Sequence, residues 1–121
     1  MLINISNHPS SQWPLEQLQA ARDNYEVVVD IPFPQINPTS TSEQIDSLVE
    51  EYRDRIVNQK TKPIALVQGE SIFTYRLICE LKKCGIVCIA ARSSRRVVES
   101  LDENKNPKRE SIYIFEGFLE Y

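Results

Sequence analysis

Three short polar stretches carry the side chains of this sequence that can do chemistry. The first, Ser6-Asn7-His8-Pro9-Ser10-Ser11, holds the single histidine. An imidazole titrates near neutral pH unaided, so His8 is the candidate general acid or base, provided a partner lies within hydrogen-bond reach. The competing role is a histidine that fixes its own loop. Ser6, Asn7, Ser10 and Ser11 can bind a ligand or merely start the next helix. The second stretch, Gln68-Gly69-Glu70-Ser71, follows the apolar run from Pro63 to Val67 and precedes a helical pattern. Its amides would sit at a helix N-terminus, where unpaired N–H groups and the helix dipole favour an anion. Gly69 permits a sharp turn or a close approach to a ligand. The Gln68 amide can hold a ribose or phosphate, Ser71 can cap the helix, and Thr74 one turn later extends the patch. The third stretch is Arg92-Ser93-Ser94-Arg95-Arg96. Guanidinium forks match phosphate geometry, which makes Arg92 and Arg95 candidate anion contacts with Ser93 and Ser94 between them. Ion pairs with Glu99 and Asp102 are the alternative use of those charges.

Several chemistries are excluded by spacing. With three glycines in the chain, neither the P-loop nor the dinucleotide-binding glycine fingerprint can be written. Gly69-Glu70-Ser71 lacks the closing glycine of a nucleophile elbow. Cys79, Cys84 and Cys88 form no C-x-x-C pair and lie far from His8, so no zinc site, and no other cofactor, is expected; they read as reduced thiols. Trp13, Phe33 and Tyr75 can stack on a base or cover a core.

These stretches need elements to position them. Leu2 to Ser6 reads as a strand. Pro14 suits a first helical turn, and Leu15, Leu18 and Ala21 continue a helix to about Asp23. The β-branched run Tyr25 to Ile31 is a second strand. Pro32, Pro34 and Pro38 then forbid regular structure. A capping box, Ser40 with Glu43 or Thr41 with Gln44, opens a helix whose apolar face is Ile45, Leu48, Val49, Tyr52 and Ile56. Ile64 to Val67 is a continuously apolar strand, as a central parallel strand should be. A helix with the stripe Phe73, Leu77, Leu81 follows, and Gly85 fits its left-handed C-terminal position. Ile86 to Ala91 is a fourth strand. A weak helical run is expected over Val97 to Leu101, then a solvated loop or hairpin turn from Asp102 to Arg109, then a last strand from Ser111 to Tyr121. Strands alternating with helices predict an α/β fold, a Rossmann-like three-layer sandwich. Its mostly parallel sheet is expected in the order 2-1-3-4, with the C-terminal strand antiparallel at an edge. Ligands bind such sheets beyond the strand carboxyl ends where the order reverses, here between the first and third strands. The three polar stretches converge there.

Residues 1–121 read as one domain. The apolar share of 41% and charged share of 26% are those of an ordinary globular protein. A net charge of −3 gives no bulk attraction to polyanions, so no duplex nucleic acid is expected as a partner. No apolar run approaches the ~20 residues of a membrane span. The first residues lack a basic leader, and a cytoplasmic location is expected.

The chain resembles a group of small CRISPR-associated proteins related to the CARF sensor domains, small ring nucleases among them. The likeness is carried by Ser6-Asn7-His8-Pro9-Ser10-Ser11 with Trp13, by Asp30-Ile31-Pro32-Phe33-Pro34, and by Gln68-Gly69-Glu70 with Thr74-Tyr75. Gly85-Ile86 leading to Ala90-Ala91-Arg92-Ser93-Ser94-Arg95, and Phe118 to Tyr121, complete it. The resemblance implies a two-fold homodimer that binds a cyclic oligoadenylate, cyclic tetra-adenylate, and cleaves it without metal by attack of a ribose 2′-hydroxyl. It casts His8 as acid or base, Arg92 and Arg95 as phosphate stabilisers, and Gln68, Gly69 and Ser71 as ribose or phosphate contacts. The polar stretches contain no lysine, a departure that bears on catalysis more than on binding. A non-catalytic sponge or sensor of the same ligand is the nearest rival. An adaptor subunit using Ile112, Tyr113, Ile114, Phe115 and Phe118 as an interface strand is the third reading.

Overall fold

Alternate residues of two short strands, β1 (Leu2–Ser6) and β3 (Ile64–Gln68), feed two separate cores. Successive strand side chains point to opposite faces. Ile3, Ile5, Ala65 and Val67 enter one core, and Leu2 and Leu66 enter the other. The computed structural model describes residues 1–121. Its remaining strands are β2 (Val28–Asp30), β4 (Val87–Leu101) and β5 (Pro107–Glu120). Its helices are α1 (Leu15–Tyr25), α2 (Ser42–Val57) and α3 (Ser71–Lys83). The result is an α/β domain with one mostly parallel sheet of five strands. β1 pairs in parallel with β2 and β3, and β3 with β4, while β4 and β5 form the antiparallel pair.

The larger core is built by α2 and α3. Thr41 caps α2 by accepting from the Gln44 amide N–H, and Gln44 returns a bond to the Thr41 N–H, so of the two possible capping boxes this one forms. Ile45, Val49, Tyr52 and Ile56 are the buried face of α2, and Phe73, Leu77, Ile78 and Leu81 that of α3. α3 ends where Gly85 adopts φ +75°. The smaller core holds Trp13 and Ala21 against Leu2, Leu66 and Ile89. Here α1 runs to Tyr25, past the expected Asp23, and β2 is correspondingly shorter than Tyr25 to Ile31. Glu26 at φ 68° makes the break between them.

The segment after Ala91 departs from expectation. No helix forms over Val97 to Leu101, and Arg92–Arg96 is not a loop. β4 runs on through both, paired residue for residue with β5 as far as Leu101 opposite Pro107. Isolated helices of a few residues are unstable, whereas Val97 and Val98 are β-branched and gain cross-strand neighbours. Lys105 at φ 60° and two N–H bonds, from Asn104 and Asn106 to the Asp102 carboxylate, close the turn. A bulge opposite Arg92 and Ser93 bends the ribbon, with Gly117 at φ +142° where a side chain would be strained. β3 pairs only with Val87 to Ile89 of β4. The rest of the hairpin leaves the sheet as a two-stranded arm, and every residue from 95 to 113 is exposed. No helix is long and apolar enough to cross a membrane.

Candidate functional site

The candidate site grows from one polar residue in an apolar strand. Asn4 is 1% exposed and lies between Ile3 and Ile5. Its amide donates to the His8 carbonyl at 2.9 Å and to Asp30 Oδ1 at 2.8 Å, while its oxygen accepts from Ser6 Oγ at 2.7 Å. The Trp13 indole N–H donates to the same His8 carbonyl at 2.9 Å. Asp30, at the end of β2, further accepts from Ser10 N at 3.1 Å and Ser10 Oγ at 2.7 Å. Burial raises the Asp30 pKa, but the bonds from Asn4 and Ser10 outweigh it and hold the carboxyl below the ordinary aspartate range. The loop after β1 is therefore pinned from beneath at His8 and Ser10, and the His8 imidazole is exposed without a hydrogen-bond partner in the protein.

That loop forms one wall of a cleft of about 800 Å³ beyond the carboxyl ends of β1 and β3. Ser6, Asn7 and His8 line it on one side, Gln68, Gly69 and Ser93 on the other. Trp13 and Tyr113 supply aromatic surface, and Gln12 and Gln17 add amides. Part of the expected convergence is therefore present, and part is not. Arg92 and Arg95 do not line the cleft, because β4 continues as a strand and carries them away on the arm. The Arg95 guanidinium donates twice to Ser111 Oγ, at 3.1 and 2.9 Å. Ser94 bonds Glu116 across the ribbon. Ser10 is held by Asp30, and Ser11 is exposed on a short turn at Ser10–Gln12.

The Gln68–Ser71 turn also does different work from that expected. Both ends of the Gln68 amide are engaged: Nε2 donates to the Ala91 carbonyl at 3.0 Å and Oε1 accepts from the Ala91 N–H at 2.9 Å. The side chain replaces a ladder pair where β3 and β4 diverge, so it faces a ligand with its stem rather than its amide. Gly69 has no left-handed backbone. It is needed because a Cβ there would lie 2.3 Å from the Phe33 ring. Glu70, not Ser71, caps α3, accepting from Ile72 N at 3.0 Å and Phe73 N at 2.8 Å. This carboxylate occupies the position an external anion would take, so the helix N-terminus is already neutralised from within the chain. Ser71 and Thr74 lie in a second cleft of about 610 Å³ with Tyr75, Lys82 and Tyr121, sharing only Gln68 and Gly69 with the first. Thr74 Oγ1 is buried there without a hydrogen-bond partner.

Sequence reasoning missed Asn4 as a site residue and gave Asp30 no role. A lone polar residue in the run Leu2-Ile3-Asn4-Ile5 was the available signal for Asn4. Asp30 had none, since its partners lie 26 and 20 residues away. Burial pushes the Cys88 thiol up to about 11, while Cys84 is exposed and Cys79 intermediate. No group of three or more His, Cys, Asp or Glu side chains is gathered that could hold a metal ion.

The profile described as the Uncharacterized protein MJ1673 family matches residues 1–119. No curated protein matches the chain. No solved structure matches it.

Proposed function

The chain belongs to the Uncharacterized protein MJ1673 family, and with that as premise we propose that it is a cytoplasmic binding protein for a nucleotide, a cyclic oligoadenylate such as cyclic tetra-adenylate. We read the arrangement as a Rossmann-like three-layer sandwich, with α1 on one face of the sheet and α2 and α3 on the other. The observation that carries the proposal is the cleft itself. It lies beyond parallel strand ends between β1 and β3, the position such sheets use for ligands. It combines aromatic surface from Trp13 and Tyr113 with hydroxyl and amide groups from Asn7, Gln12 and Ser93. Rings stack on bases, and short polar groups read base edges and sugar hydroxyls. The resemblance to CARF-related proteins supplies the ligand class.

Cleavage is a second reading, favoured by one observation: the His8 imidazole stands at the cleft wall with no protein partner, so it is open to a substrate proton. The 2′-oxygen would attack phosphorus, the bond to the 5′-oxygen would break, and His8 would pass the displaced proton. Arg92 or Arg95 would have to reach back from the arm to stabilise the phosphate. Binding is the stronger reading because the cations stand outside the cleft.

Thermal unfolding with a panel of cyclic and linear oligoadenylates tests the proposal. A ligand at 100-fold over its Kd adds about 2.7 kcal/mol. Tyr113→Ala is expected to weaken binding about tenfold through lost stacking, worth roughly 1–3 kcal/mol per base. Absence of any shift across the panel would sink the nucleotide reading. Linear products formed in chelator, and lost in His8→Ala, would establish cleavage.

A further inference from the structure

We propose that Gln17 is the specificity-determining residue of the cleft, pairing through its amide with a planar ring that carries a hydrogen-bond donor and an acceptor side by side. The proposal deepens the nucleotide reading of the same cleft, rests on it for the class of ligand, and says which edge of the base is read and by what.

α1 buries two residues, Gln17 and Ala21. Gln17 is 7% exposed, whereas Leu15 on the same helix is 74% exposed. A helix seated on a sheet ordinarily turns its apolar residues inward and its amides outward. Here a leucine faces solvent and a glutamine takes an inward place. Its surroundings are apolar: Trp13, four residues earlier, and Ala21, four residues later, belong to the smaller core with Leu2, Leu66 and Ile89. Polar groups at this depth are ordinarily paired. The Gln68 amide on the same cleft is held at both ends by Ala91, but the Gln17 amide forms no hydrogen bond within the chain. Thr74 Oγ1 is the one side-chain nitrogen or oxygen that is sealed off without a partner. The Gln17 amide is therefore not sealed off; it is reached from the cleft, which it lines with Trp13, Leu66 and Ala91.

A primary amide offers an N–H donor and a carbonyl acceptor in one plane. It pairs bidentately with adenine through the amino group and the adjacent ring nitrogen. Because neither end of the Gln17 amide is held, it can turn half a rotation about its last torsion. It then pairs equally well with a ring in which donor and acceptor are exchanged, as in hypoxanthine. A ring edge with acceptors alone, as in unsubstituted purine, leaves the Gln17 carbonyl without a donor. Leu66 and Ala91 offer apolar surface to the ring itself. Selection is thus by the edge of the ring and not by its size.

Quenching of the single tryptophan, Trp13, which lines the cleft, reads binding. The probes are the 5′-monophosphates of adenosine, inosine and purine riboside. The wild type should bind the first two with similar affinity and the third roughly 5- to 150-fold more weakly, the effect of one bidentate pair. Gln17→Leu should bind all three alike, at the weaker level, and should melt no lower than the wild type, because it removes an unpaired buried amide. Gln17→Met, unbranched like glutamine, repeats the comparison if leucine distorts the cleft. If neither these monophosphates nor cyclic oligoadenylates quench the wild type, the nucleotide reading falls and this proposal with it. If the wild type binds adenosine monophosphate but both variants keep its preference over purine riboside monophosphate, the nucleotide reading stands and the Gln17 assignment is overturned. Loss of stability in both variants, with the preference among the three probes unchanged or all binding gone, would mark a purely structural glutamine and overturn it as well.

Discussion

Asn4 occupies a position in β1 where its neighbours Ile3 and Ile5 would predict an aliphatic side chain, and it instead directs both amide hydrogens at the loop and strand that frame the cleft. Replacing it with leucine would keep the volume but leave the His8 carbonyl and the Asp30 carboxylate each one donor short. Both acceptors keep other donors, from Trp13 and from Ser10, so the loss is that of ordinary hydrogen bonds, about 0.5–1.5 kcal/mol each. Asn4→Leu should therefore lower the urea midpoint by that amount and shift Trp13 emission to longer wavelength as the loop loosens, because the indole N–H shares the His8 carbonyl. Unchanged emission would mean that Trp13, not Asn4, sets the loop. Gly69 makes a different point at the same scale. Its Cβ position is filled by Phe33, so Gly69→Ala forces the ring away from Phe73, which it meets edge-on at 5.3 Å. A cost of about 1–3 kcal/mol is expected in thermal or urea unfolding. The placement of Ser6, His8, Gln68 and Ser93 around one cleft was legible, since strand ends in an alternating α/β pattern have a known side. The contact of Phe33 with Gly69 was not, because it joins a proline-rich segment to a strand end 36 residues later, and nothing local encodes it.

At the scale of the element, Ser71 was the expected cap of α3, and the Glu70 carboxylate takes that place instead. The longer carboxylate reaches two amides at once, which a hydroxyl cannot. Glu70→Ala should cost about 1 kcal/mol of stability, the usual worth of a cap. It should also open the helix terminus to outside anions, so added sulfate should stabilise the variant more than the wild type. Equal sulfate responses would show that Glu70 does not fill the anion position. The helices were legible because their apolar spacing and caps act over one or two turns: Thr41 with Gln44 and Ile45 to Ile56 in α2, Phe73 to Leu81 and Gly85 around α3. The arm was not. Arg92 to Leu101 mixes charges, serines and valines without a clean alternation, and its strand character comes from pairing with β5 rather than from its own sequence.

At the scale of the whole molecule, two sets of groups limit stability from opposite ends of the pH range. Asp30 has a folded pKa below its ordinary 3.8, because the bonds from Asn4 and Ser10 outweigh burial. The unfolded chain takes up that proton first as pH falls. The contribution of Asp30 is thus fully present above about pH 4 and is lost as pH drops through the folded value. At the other end, burial raises the Cys88 thiol from 9.0 to about 11, the Glu120 carboxylate adding to the rise and Lys82 opposing it. Burial also raises Tyr25 and Tyr121 above 10.0. For these three the unfolded chain ionises first, so stability falls as pH climbs above about 9. Urea midpoints should form a plateau between about pH 5 and pH 8.5 with a loss on each side. Asp30→Asn should be less stable than wild type on the plateau, and the gap between the two should close below pH 4. Cys88→Ala should lose the part of the alkaline decline that begins near pH 9 and keep the part that begins near pH 10, where the tyrosines ionise. An alkaline limb identical in Cys88→Ala would assign the whole decline to Tyr25 and Tyr121, and would mean that the sulfur is not shielded as its place in the larger core requires.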